Sequence, residues 1–141
     1  MSRKQSREAA FKLLFSLCFD VEGETPLDFV SDEKPDGREL EFINKLYAAI
    51  KGNLSEIDAL IQKHAHGFAI DRIFKIDLTV LRMAIGEIVY LPETPQAVAV
   101  NEAVVIAKKY GTEKSASYIN GILASVLKEV SSGTEGRQPK G

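Results

Sequence analysis

Apolar residues recur along most of this chain at three- and four-residue steps, the spacing that puts them on one face of an α-helix. From Arg3 to Phe19 the residues Ala10, Phe11, Leu14, Phe15, Leu17 and Cys18 form a wide apolar stripe, which predicts a buried first helix. The pattern then fails over residues 20–37, an acidic stretch broken by Gly23, Pro26, Pro35 and Gly37. Leu27, Phe29 and Val30 could seat one short helix inside this connector. Periodicity returns at Arg38–Lys51, with Ile43, Leu46, Tyr47 and Ile50 on one face. Gly52 and Asn53 are expected to stop that helix, because both tolerate a left-handed backbone.

The second half repeats the theme. Leu54, Ile57, Leu60 and Ile61 predict a short helix ending near Gly67. Asp77 is the expected cap of the next, with Leu78, Leu81, Ala84, Ile85 and Ile88 facing inward and Pro92 closing it. Thr94-Pro95 predicts a restart, threonine as cap and proline as first helical residue, and Gly111 a stop after Tyr110. A last helix starts near Glu113–Ser115 and carries Ile119, Ile122, Leu123, Val126, Leu127 and Val130. Residues 131–141 read as a disordered tail behind a single domain of residues 1–130. No strand-like alternation is sustained, so the expected fold class is all-α, with about seven helices.

Composition narrows the function classes. At 141 residues and 45% hydrophobic content the chain can bury one core. No apolar run is long enough for a membrane span, and the first residues lack the apolar middle of a signal peptide. A single cysteine, Cys18, excludes an internal disulfide, and a reduced, cytoplasmic setting follows. Cys18 lies in an apolar stripe, where a thiol is packing rather than nucleophile. His64 and His66, one residue apart, would point to different faces of a helix and have no third ligand nearby. They fit a helix end, where histidine meets terminal carbonyls. Neither a serine–histidine–acid arrangement nor a phosphate loop can be proposed from the residues.

The net charge of −2 is unevenly spread: +3 over residues 1–19, −7 over residues 20–58 and +2 over residues 59–141. A polyanion would favour the ends of the chain, although such charges also serve simply to solvate helix faces. Arg3, Lys4 and Arg7 gather at the start of the first helix, where the helix dipole prefers acids, so a functional demand is expected there. Lys108, Lys109 and Lys114 form a second cluster at a helix–turn–helix junction, interleaved with Tyr110 and Tyr118. Cations neutralise phosphates and exposed rings stack on unpaired bases, but a solvated face with tyrosines covering the core edge has the same composition. Gly121, inside a helix, suggests close approach by a backbone or ligand. Asn101 and Asn120 must face solvent or join a hydrogen-bond network, and a structural network is favoured.

Asn101-Glu102-Ala103, the aliphatic run to Ala107-Lys108 and Tyr110-Gly111 resemble a pattern of the NusB family. Ser115, Tyr118 and Ile119-Asn120-Gly121-Ile122-Leu123 resemble its continuation, and Val80 to Ile88 its leucine–arginine helix. Arg3 to Phe15 resembles its basic start, including Leu14-Phe15. The resemblance implies two packed helical bundles, no catalysis and no cofactor. It implies a transcription antitermination factor that binds single-stranded boxA RNA as a heterodimer with NusE, a small-subunit ribosomal protein. The pair would join the RNA polymerase antitermination complex and serve ribosomal RNA operons; a free homodimer is also compatible with the family. RNA contacts are thereby carried onto Arg3, Lys4, Arg7, Lys108, Tyr110, Lys114, Ser115 and Tyr118, with Tyr118 stacking on a base. Partner contacts fall on Phe68, Arg72, Asp77 and Glu87, and Arg82 fits an ion pair equally well.

The chain departs from the family at Gln5 and Ser6 within the basic start, at Gly86 in place of a tyrosine, and at Phe68 where tryptophan is common. Each departure is expected to weaken RNA or partner binding. A sequence pI near 5.7 predicts feeble RNA binding by the chain alone. Two other readings remain: the NusB-like domain of a ribosomal RNA cytosine methyltransferase, and a helical adaptor that binds no RNA.

Overall fold

The computed structural model describes residues 2–19, 36–67 and 69–136, with side chains to residue 131. Among these residues there are six α-helices and two 3-10 turns, and no strand. The helices are α1 (Arg3–Phe15), α2 (Gly37–Gly52), α3 (Leu54–His64), α4 (Lys75–Tyr90), α5 (Gln96–Tyr110) and α6 (Ser115–Gly136). The 3-10 turns are Ser16–Cys18 and Ile70–Arg72. The short helix expected around Leu27–Val30 lies outside the described residues.

Helix α4 is the axis of the molecule. Every residue from Asp77 to Ile88 is buried. A helix apolar on all sides must be covered on all sides, and α4 packs against α1, α2, α3, α5 and α6. Helices α1 and α2 pair with each other and with α4; α5 and α6 do the same, while α3 joins α4 to α6. Two helical groups thus share one buried helix. Their common core includes Leu14, Ile43, Leu46, Ile50, Leu81, Ile85, Ile119 and Leu123.

Several helix ends differ from expectation for local reasons. Helix α1 begins with a capping box, in which Ser2 accepts from the Gln5 N–H and the Gln5 side chain from the Ser2 N–H. It tightens into the 3-10 turn at Ser16 instead of running to Phe19, and Ser16 Oγ donates to Leu13 O at 2.7 Å. Asn53 is not left-handed (φ −126°); its amide donates to Ala49 O at 2.7 Å and closes α2 through its side chain. The left-handed residues are His66 and Gly67, just past α3. Asp77 does not cap α4, which starts two residues earlier, at Lys75 after Phe74. Pro95, not Thr94, occupies the cap of α5. Helix α6 continues to Gly136, so residues 131–136 of the expected tail extend it.

At Gly86, where the sequence departs from the tyrosine of the resembled pattern, α2 comes close. A Cβ there would stand 2.3 Å from Ile50 Cγ1, so the isoleucine fills the space a side chain would need. Gly121 behaves oppositely: among the described residues nothing lies within 4 Å of where its Cβ would be, so none of the described helices crosses it closely. Asn101 and Asn120 are exposed, which resolves their alternatives in favour of solvent.

Candidate nucleic-acid interface

The two basic clusters meet different fates. At the start of α1 each cation finds a carboxylate from a distant helix. Arg3 Nε donates to Glu39 Oε1 at 2.9 Å, and its guanidinium lies 4.1 Å from the Phe42 ring centre. Hydrogen bonds from Arg3, then from Ser6, hold the Glu39 carboxyl below its ordinary value. Lys4 reaches Glu102 on α5 at 3.3 Å but stays largely exposed. Arg7 donates through Nη2 to Glu87 Oε2 at 2.7 Å, and both side chains are buried, 7% and 1% exposed. The pair holds α1 to α4. Burial therefore corrects two expectations: Arg7 is not presented to a phosphate, nor Glu87 to a basic partner.

Along the same flank, α1 and α5 are laced together. Lys109 and the Tyr110 hydroxyl both donate to Glu8. Burial opposes ionisation of Glu8, yet the hydrogen bonds from Lys109 and Tyr110 and the charges of Lys109 and Lys12 outweigh it and hold the carboxyl down. Burial and the Glu8 carboxylate together push the Tyr110 phenol up to about 12. Its ring packs on Phe11 at 5.1 Å between centres. Tyr110 is thus a pinned part of the α1–α5 seam. Lys108 is exposed, and no carboxylate among the described residues pairs with it.

The α5–α6 junction is built as a tight corner. Gly111 is required there, since a Cβ would lie 2.4 Å from Ser115 Oγ and 2.8 Å from Ala107 O. Ser115 Oγ accepts from the Thr112 N–H at 2.9 Å. Ser115, expected at the RNA, is 1% exposed and closes the corner.

Beside this corner opens a cleft of about 510 Å³, lined by Arg72, Ile73, Phe74, Asp77, Glu113, Lys114, Ser117 and Tyr118. It unites residues assigned separately in the sequence: Lys114 and Tyr118 to RNA, Arg72 and Asp77 to a partner. Arg72 and Lys114 are exposed, and neither pairs with a carboxylate among the described residues. Tyr118 is half-buried, and burial, then the charge of Asp77, raises its phenol. Burial likewise raises Asp77, against a hydrogen bond from Ser115. Phe74 was missed in the sequence because an apolar residue at a helix start reads as core; it is 47% exposed. Phe68 lies outside the described residues.

Elsewhere the structure joins groups the sequence kept apart. His64 contacts Ser125 Oγ at 2.9 Å through Nδ1 and Glu129 at 2.7 Å through Nε2, with Lys63 also on Glu129 at 3.0 Å. Ser125 and Glu129 are one turn apart on α6, so this set clamps α3 to α6, and His64 meets side chains instead of the expected carbonyls. Arg82 forms a two-point pair with Asp58 at 2.9 and 2.8 Å, the structural alternative weighed for it. Cys18 sits on the 3-10 turn, 3.3 Å from Thr79 Oγ1. Among the described residues no group of three metal-ligating side chains converges, and no helix is long and apolar enough to cross a membrane.

An all-helical fold with an aromatic, cation-rimmed cleft defines a class of binding proteins, and comparison specifies which. The NusB family model matches residues 4–128. The transcription antitermination protein NusB of Clostridium botulinum is 40% identical over 133 residues, 92% of this chain and 100% of that protein. That of Natranaerobius thermophilus is 37% identical over 135 residues, 92% of this chain and 97% of that protein. Among solved structures, T. maritima NusB superposes with a TM-score of 0.83 at 37% identity, covering 92% of each chain. A chain from a crystal structure of antitermination factors NusB and NusE in complex with double-stranded RNA superposes with a TM-score of 0.77 at 29% identity, covering 90% of this chain and 96% of that one. The chain belongs to the NusB family.

Proposed function

We propose that this protein is a cytoplasmic transcription antitermination factor that binds single-stranded boxA RNA as a heterodimer with NusE and serves ribosomal RNA operons. The observation that carries the reading is the cleft at the α5–α6 corner, where two aromatic rings, Phe74 and Tyr118, stand beside two cations, Arg72 and Lys114, that pair with no carboxylate among the described residues. Rings accept stacked bases and cations accept phosphates. Lys108 adds an exposed cation on α5, Lys4 an exposed but Glu102-paired one on α1, and Arg3 and Tyr110 are held by Glu39 and Glu8. The partner reading has the same support: Arg72 and Phe74 line the cleft that Lys114 and Tyr118 also line.

An acidic chain binds RNA weakly alone. A basic partner docked beside the cleft raises the effective concentration of the strand at both sites. The test is a titration of boxA RNA and a scrambled strand, with and without NusE, at two salt concentrations. Preferential binding of boxA in the presence of NusE is expected. Equal, weak binding of both strands with NusE present would sink the reading.

A further inference from the structure

The cleft has a floor that does not suit phosphate. Arg72, Lys114 and Glu113 are exposed at its mouth, whereas Asp77, 7% exposed, lies beneath them. Asp77 Oδ1 is buried and has no hydrogen-bond partner among the described residues. An unpaired buried acceptor costs free energy, so it marks a position whose partner comes from elsewhere. A phosphate is repelled by that floor and held by the rim. A strand must therefore enter base-first, its backbone outside and one base edge facing Asp77. The carboxylate torsion is broad and roughly two-fold, so either oxygen can turn toward an incoming donor.

We propose that Asp77 makes this cleft a guanine-preferring subsite, reading one unpaired base of the bound strand through its Watson–Crick edge. Guanine alone presents two adjacent donors there, N1–H and the N2 amino group, matching the two oxygens of a carboxylate. Adenine and cytosine place a ring-nitrogen acceptor beside their amino group, and uracil flanks its single N–H with two carbonyls. Those acceptors face the carboxylate and are repelled. Phe74 and Tyr118, on the walls, supply stacking that any base can use, so the rings give affinity and Asp77 gives choice. Hydrogen bonds to an ionised acceptor are about twice as strong as neutral ones, which makes the choice substantial.

This inference rests on the cleft being the RNA site, and the experiment separates the two. Ten-nucleotide oligouridine strands carrying guanosine, inosine, adenosine, cytidine or uridine at one central position are titrated against the protein in complex with NusE. The guanosine strand is expected to bind roughly tenfold or more tightly than the adenosine, cytidine or uridine strands. Inosine, which keeps N1–H and lacks the amino group, falls between. Asp77→Asn, with its fold verified by thermal melting, should bring all five strands to within about twofold of one another. Equal affinities for the wild type, or a guanosine preference that survives Asp77→Asn, would overturn the assignment while leaving the cleft as an RNA site. If no strand binds, or Tyr118→Ala changes none of the five, both readings fall. A loss of NusE binding in Asp77→Asn with base preference intact would show that the carboxylate receives a side chain of the partner protein, and would also overturn it.

Discussion

The start of α1 and the α5–α6 corner look alike in the sequence, each a small group of cations beside apolar residues, and fold into opposites. Arg3, Lys4 and Arg7 are answered by Glu39, Glu102 and Glu87, contributed by three different helices. Lys114 and its neighbour across the cleft, Arg72, are answered by none among the described residues. The first group is paired throughout, with Arg7 buried and Lys4 exposed. In the second, Lys109 pairs with Glu8, while Lys108 and Lys114 have no carboxylate among the described residues. Local density of positive residues therefore says little about nucleic-acid binding until the carboxylates that fold against them are counted.

The largest test of this contrast is Arg7→Ala. Removing one partner strands Glu87 as a buried charge, and a loss of about 3–5 kcal/mol in unfolding free energy is expected in denaturant titration. Arg7→Met with Glu87→Met should restore most of that stability, since a well-packed apolar pair can replace a buried ion pair. If the double variant folds but binds RNA poorly, the arginine acts on the strand after all and the contrast breaks. Next comes Tyr118→Ala, expected to cost about 1–3 kcal/mol of RNA affinity in a fluorescence titration if a base stacks on the ring. Lys114→Ala should act more gently, lowering affinity evenly across sequences and reducing the slope of log affinity against log salt by about 1.

The smallest effect concerns Asp77. Burial raises its carboxyl above the ordinary aspartate value in the folded state. The folded protein then holds a proton that the unfolded chain has released, over the window between the ordinary and the raised value. Stability from this group is fully present below the ordinary value and is lost as pH rises through the raised one. Asp77→Asn mimics the protonated form, so it should stabilise the protein near neutral pH by less than about 1 kcal/mol, the helix dipole offsetting part of the gain. Melting curves should show that advantage shrinking toward acid pH. An unchanged difference across pH would mean the carboxylate is solvated in the folded protein.

Much of the fold was legible because helices are encoded at short range. The three- and four-residue spacing located α2, α5 and α6, and Gly111 ended α5 where expected. The helix ends were harder, because they hang on a single hydrogen bond: Asn53 closes α2 through its side chain, and Phe74 rather than Asp77 precedes α4. The site was legible in part. Lys114 and Tyr118 share a turn and a short loop, so spacing alone brings them together. Arg7 and Glu87 stand 80 positions apart, and nothing in local pattern announces their pairing. Arg72 and Asp77 were assigned to a separate surface, because the crossing of α4 and α6 that merges the surfaces is a tertiary fact.

The corner at Gly111 has a consequence for how a strand is captured. Gly111 lets the corner close tightly and the Ser115 hydroxyl fixes the Thr112 N–H, so the backbone between the two helices is held. The backbone carrying Lys114 and Tyr118 is therefore preorganised, and much of the ordering entropy of association falls on the RNA. Strands already stiffened in an extended, unstacked shape should dock faster and dissociate more slowly than flexible ones of the same sequence. The protein would then select for the shape of its ligand before it touches a single base edge.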